Sequence, residues 1–196
     1  MSAHLFTGTQ FATAGIGQFY RGGMRISRLR QRDGTTCGPA VAVMAAALLH
    51  PGYRPVLAGQ GRFSEEQVRV HASINLLWPR RLGTTPPAMS RAITVLSRGS
   101  RYRWRLCWGR RDGLADVLDA LDAGRPVAML VGRVIPRHWV LLVGVAGEML
   151  ECYEPSSGEF RVVDLDAVRF GRLKNVGYPR PFAFVLPRFS TRSATA

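Results

Sequence analysis

An α+β fold, helices first and an antiparallel sheet after them, is predicted by three features of the sequence. Pro39–Leu49 is an apolar, helix-favouring run, Leu114, Val117, Leu118 and Leu121 recur on one face of a helix, and short strand-type segments follow one another after Pro126. The first run, PAVAVMAAALL, is apolar all round, which describes a helix buried on most of its surface, with Cys37 at its mouth. His50-Pro51-Gly52 stops it. A second helix is expected to open at Ser64, with Gln67 as its capping-box partner, and a third at Thr84-Thr85-Pro86-Pro87, running to Leu96. The fourth, around Leu114–Leu121, is closed by Gly124 and Pro126. Arg101–Leu106 alternates arginine with Tyr102, Trp104 and Leu106, the pattern of a half-exposed strand with its arginines in solvent. Strands are expected over 126–131, 138–145, 149–153, 160–163 and 182–186, joined by Gly-bearing links.

The chain has 196 residues, enough for one domain with a core of its own and short for two. We place an aperiodic, loosely packed arm at 1–25, a single folded domain at 26–188 and a disordered tail at 189–196. The longest apolar run is well short of the ~20 residues that cross a bilayer, and the amino terminus lacks the pattern of a secretory signal, so a cytoplasmic protein with no membrane span is expected. Cys37, Cys107 and Cys152 form neither a disulfide framework nor a metal-ligand spacing, and no cofactor motif is present. Free thiols suit a reducing compartment.

The formal net charge is +14, and every basic residue except Lys174 is an arginine. A GC-rich genome would favour arginine over lysine without any functional cause, but would not produce the excess of positive charge. That excess predicts attraction to an acidic partner through an arginine-rich surface. Nucleic acid is the lesser reading, because the alternation of arginine with Tyr102 and Trp104 is equally that of a solvated strand face.

Thiol catalysis needs a stabilised thiolate, a histidine paired with it, a group to orient that histidine and donors for an oxyanion. Gln31–Pro39 offers Cys37 at the amino end of a buried helix, where the helix dipole favours negative charge, with Gln31 six residues upstream across a Gly-containing turn. His138 leads the apolar run Trp139–Gly144. If 138–145 and 149–154 form a hairpin around Gly147, His138 and Glu154 become neighbours. Cys107 and Cys152 are read as small buried hydrophobes.

Three pieces, Gln31–Pro39, Arg137-His138-Trp139-Val140 and Tyr153-Glu154-Pro155-Ser156-Ser157-Gly158, together resemble the papain-like bacteriocin-processing (double-glycine leader) peptidases and their stand-alone relatives. The resemblance implies a papain-like fold, in which the nucleophile helix packs on the carboxyl-terminal sheet. It also implies a cysteine peptidase acting on a peptide or protein, with Cys37 as nucleophile, His138 as base, Glu154 as orienting acid and Gln31 as oxyanion donor. That family usually has aspartate where Glu154 stands, and one extra methylene can be absorbed by a small backbone shift. The same apparatus serves a deamidase or an acyltransferase, and a papain fold that has lost catalysis could bind peptides or an acidic surface.

Overall fold

The computed structural model describes residues 28–74 and 83–189, so the arm expected at 1–25 and the tail from 190 onward lie outside them. Helix α1 (Cys37–Leu49) is buried without interruption from Cys37 to Ala47. Its alanines allow close approach on every side, and α2 (Gln60–Ile74), α3 (Pro86–Leu96) and the sheet all use it. The helix stops before His50, and one 3₁₀ segment, Pro51–Ala58, carries the chain to α2.

Helix α2 begins at Gln60, four residues before the expected Ser64 cap. The Gln60 carboxamide donates to the Arg30 carbonyl and to Ser64 Oγ, while its oxygen accepts from the Arg30 N–H. Gln67 likewise binds the Arg30 carbonyl and the Arg32 N–H instead of closing a capping box. Helix α3 opens as the sequence predicts, with Thr85 accepting from the Ala88 N–H and two prolines in the first turn.

Six strands, β1 (Tyr102–Leu106), β2 (Val127–Gly132), β3 (Pro136–Ala146), β4 (Met149–Glu154), β5 (Glu159–Asp164) and β6 (Arg180–Pro187), form one sheet in the order β1-β6-β2-β3-β4-β5. Every neighbouring pair is antiparallel. The expected hairpin is present, with Gly147 at φ +58° in the turn between β3 and β4. Alternation divides the strands between two cores. Trp139, Leu141 and Tyr153 pack with α1, whereas Val140, Leu142 and Cys152 pack with α4 (Ala115–Asp122) and α5 (Leu165–Phe170) on the other face. The fold is α+β as read, with helices covering both faces of the sheet. Among the described residues no helix is long and apolar enough to cross a membrane.

Strand β1 departs from its simple alternation. Trp104 and Leu106 are exposed, while Arg105 is largely covered, held by Asp112 and Asp116 and stacked over Phe184. Arg103 also pairs with Asp116, so this arginine face is occupied by acids of the chain itself.

The doubly covered sheet has one consequence for stability. Glu151 is buried, neither carboxylate oxygen has a hydrogen-bond partner among the described residues, and burial pushes its pKa up. Such a group favours the native state when protonated, and this contribution is lost as pH rises through its raised native value. Glu151→Leu is therefore expected to stabilise the protein at neutral pH by about 1 kcal/mol or more, because an unpaired buried carboxylate is replaced by an apolar side chain. Urea titrations in acid and at neutral pH check this: the gap between variant and wild type widens as pH rises.

Candidate active site

Cys37 is the first residue of α1 and only 5% exposed. Thr36 supplies no side-chain cap, the first amide in the helical ladder is that of Ala40, and Pro39 has no N–H. The amides of Cys37 and Gly38 are thus the donors left at this helix end, where the dipole is positive. Thr36 is committed elsewhere: its hydroxyl accepts from the Asp33 N–H and ties the preceding turn. Gly38 is required sterically, since a Cβ there would lie 2.3 Å from Thr84 Oγ1. Thr84 is in turn fixed by its carbonyl, which accepts from Trp139 Nε1 at 2.8 Å.

His138 and Glu154, on neighbouring strands, are 7% and 5% exposed. The register Leu141↔Tyr153 and Leu142↔Cys152 sets Glu154 one diagonal step from His138 on the same face. The His138 Nε2 to Glu154 Oε1 distance is 2.8 Å. Glu154 Oε1 also accepts from the Ser156 N–H and Oε2 from the Ser157 N–H, at 2.9 and 2.8 Å. Burial opposes ionisation of Glu154, but His138 and these two amides outweigh it and hold the carboxyl well below its ordinary range.

With Nε2 taken by Glu154, Nδ1 is the ring nitrogen left for a second partner, and Cys37 is near enough to act on the imidazole. Burial would lower the His138 pKa, but interaction with Cys37 and Glu154 overrides it and raises the pKa to about 9. The Tyr178 ring lies beside the imidazole, with centroids 5.9 Å apart. An acid, an imidazole and a thiol in this sequence can hold a thiolate–imidazolium pair.

Gln31 is brought to the same place by a seam of contacts between residues 28–32 and the turn after β4. Tyr153 OH donates to the Leu29 carbonyl, the Gln31 N–H to the Pro155 carbonyl, and Arg30 Nε to the Ser157 carbonyl. Gly158, at φ +70°, permits the approach, since a Cβ there would meet the Leu29 carbonyl oxygen at 2.7 Å. The Gln31 carboxamide donates to the Asp33 carbonyl at 2.7 Å and its oxygen accepts from the Ser156 hydroxyl at 3.3 Å. One N–H of its NH₂ group remains after the Asp33 bond.

The peptidase domain of Streptococcus ComA, a bi-functional ABC transporter involved in a quorum-sensing pathway, aligns with 82% of this chain and 97% of its own length, at 17% identity and a TM-score of 0.50. The fold is papain-like. A double-glycine motif protease from an AMS/PCAT transporter, solved with its leader peptide, covers 85% of this chain and 94% of its own at 18% identity, with a TM-score of 0.48. No protein-family model and no curated protein matches the sequence. The likeness to the ComA peptidase domain agrees in fold with the resemblance that the three sequence motifs carry.

In this papain-like frame all four residues read from the sequence come to one end of the sheet. Sequence reasoning missed the amides of Ser156 and Ser157, the Tyr178 ring and the Thr84–Trp139 link. The Pro155–Gly158 turn was visible, but not that its amides clamp Glu154. Of the other cysteines, Cys152 is fully buried and desolvation pushes its thiol up, and Cys107, half-buried, is also raised, first by desolvation. Among the described residues no group of three or more His, Cys, Asp or Glu side chains could hold a metal ion.

Proposed function

We propose that this chain is a cysteine peptidase-like hydrolase that cleaves a peptide or amide bond. The observation that carries the proposal is the buried His138, bonded to Glu154 and raised in pKa by Cys37 at the uncapped start of α1. The Cys37 thiolate attacks the carbonyl carbon, and the oxyanion is received by the Cys37 amide and the spare N–H of Gln31. His138, protonated on Nδ1, gives its proton to the departing amine. Water, activated by the same imidazole, then attacks the acyl-enzyme and releases Cys37.

The test is site-resolved alkylation with iodoacetamide at about neutral pH. Cys37 is expected to react well ahead of Cys107 and Cys152, and equal labelling of all three would overturn the proposal. For the oxyanion role, Gln31→Ala is expected to lower kcat by about 10²-fold, the usual effect of losing one such donor, with alkylation of Cys37 unchanged because that reaction builds no oxyanion. Single-turnover kinetics on a cleaved peptide, set beside alkylation rates, separates the two effects.

A further inference from the structure

The hairpin that leads into His138 has a composition that its turn does not require. Strand β2 ends at Gly132 and β3 begins at Pro136, and the residues between them are Arg133, Val134 and Ile135. Tight hairpins favour Gly, Asn and Asp, whereas β-branched side chains gain nothing at an exposed tip. Yet Val134 is 80% and Ile135 54% exposed. The turn is held closed from below, since a Cβ on Gly132 would lie 2.0 Å from the Ile135 carbonyl oxygen. Arg133 and Arg137 flank the apolar pair, and Arg180 joins them because it is the register partner of Gly132 on β6. All three arginines are exposed and none forms an ion pair among the described residues. Neither 133–138 nor 177–181 contains an acid, in contrast to β1, where Asp112 and Asp116 occupy the arginines.

The backbone of this patch adjoins the proposed catalytic imidazole: Arg137 precedes His138 in β3, and Tyr178, two residues before Arg180, lies against its ring. In the proposed mechanism His138 protonates the departing amine, so the departing segment of the substrate lies on the His138 side of the sulfur. On that reading, we infer that the 133–137 hairpin tip with Arg180 selects substrates whose departing segment carries an aliphatic residue together with carboxylates. The exposed Val134 and Ile135 take the aliphatic side chain and the three guanidinium groups take the carboxylates.

Two chloroacetyl peptides test this, chloroacetyl-valyl-aspartyl-aspartate amide and its asparaginyl-asparagine counterpart, because each carries its peptide on the amide-nitrogen side, as a departing segment does. Cys37 Sγ displaces chloride from either. The ratio of acidic to neutral labelling rates at Cys37 is measured within each protein, so a change in intrinsic thiol reactivity cancels. Wild type is expected to prefer the acidic reagent by about tenfold at low salt, and to lose most of that preference as salt is raised. The triple variant R133Q/R137Q/R180Q is expected to bring the ratio near unity. The triple variant R62Q/R91Q/R101Q removes the same charge from exposed arginines elsewhere and should keep most of the preference. Equal rates in wild type, or an equal loss in both triple variants, overturns the inference. Iodoacetamide labelling in parallel separates the two readings: a reactive Cys37 without acidic preference removes this inference alone, whereas an unreactive Cys37 removes the proposed function with it.

Discussion

His138→Ala is expected to lower kcat/KM by roughly 10⁴-fold or more and to remove the selective alkylation of Cys37 as well. Both losses follow from one contact. In the proposed mechanism the imidazole both stabilises the thiolate and protonates the leaving amine, and its pKa of about 9 keeps it protonated at neutral pH. Cys37→Ala should be equally inactive but should leave the fold intact, since a small apolar side chain suits the first turn of a buried helix. Turnover that survives either change would show that the bond is cut elsewhere on the molecule.

Replacing Glu154 is the second large effect, and its signature lies in pH. The raised His138 pKa makes the protonated ring a stabilising element that is fully present below the ordinary histidine value and is lost as pH rises through about 9. The depressed Glu154 pKa acts in the opposite sense, contributing above the ordinary carboxyl value and being lost as pH falls through its native value. The pair therefore supports the fold from mildly acidic pH up to about 9, and on the proposed mechanism activity follows the same range. Activity should fall on the alkaline side as the imidazolium deprotonates. Glu154→Gln removes the negative charge while keeping a group of similar size, so the alkaline limb should move below 9 and the rate at neutral pH should drop. Glu154→Ala also strands the amides of Ser156 and Ser157 and leaves the buried ring without its acid, at a cost of about 3 kcal/mol or more in stability. A pH–rate profile for wild type and Glu154→Gln, with urea titrations on Glu154→Ala, reads both effects. An unmoved alkaline limb in Glu154→Gln would show that the acid does not govern the ring.

How much of this was legible beforehand depended on whether the signal was local. The hairpin around Gly147 was, because two apolar runs with one turn glycine between them define it, and it delivers His138 to Glu154. Helix α3 was legible for the same reason, its threonine cap and prolines lying within four residues of one another. Helix α2 was misread at its start because its first residue is anchored by Arg30, thirty positions away, while the tempting Ser64–Gln67 box is spent on other partners. Helix α5 was missed although Asp164 caps it and Gly171 closes it in a left-handed conformation, because six residues are too few to show a period. Burial of Glu151 could not be read from β4, since alternation in a sheet covered on both faces no longer separates core from solvent. The seam between residues 28–32 and the turn after β4 joins segments more than 120 positions apart, and no pattern within either announces it.

The position of β6 has a bearing on when the sheet can first close. It is the last of the six strands along the chain, yet it sits inside the sheet, between β1 and β2. A polypeptide still being synthesised has Gln31, Cys37, His138 and Glu154 long before residues 180–187 emerge, but β2 then lacks one neighbour and β1 lacks its only one. The middle of the sheet therefore closes only when nearly all of the described chain has left the ribosome, so the frame around these four residues is completed last.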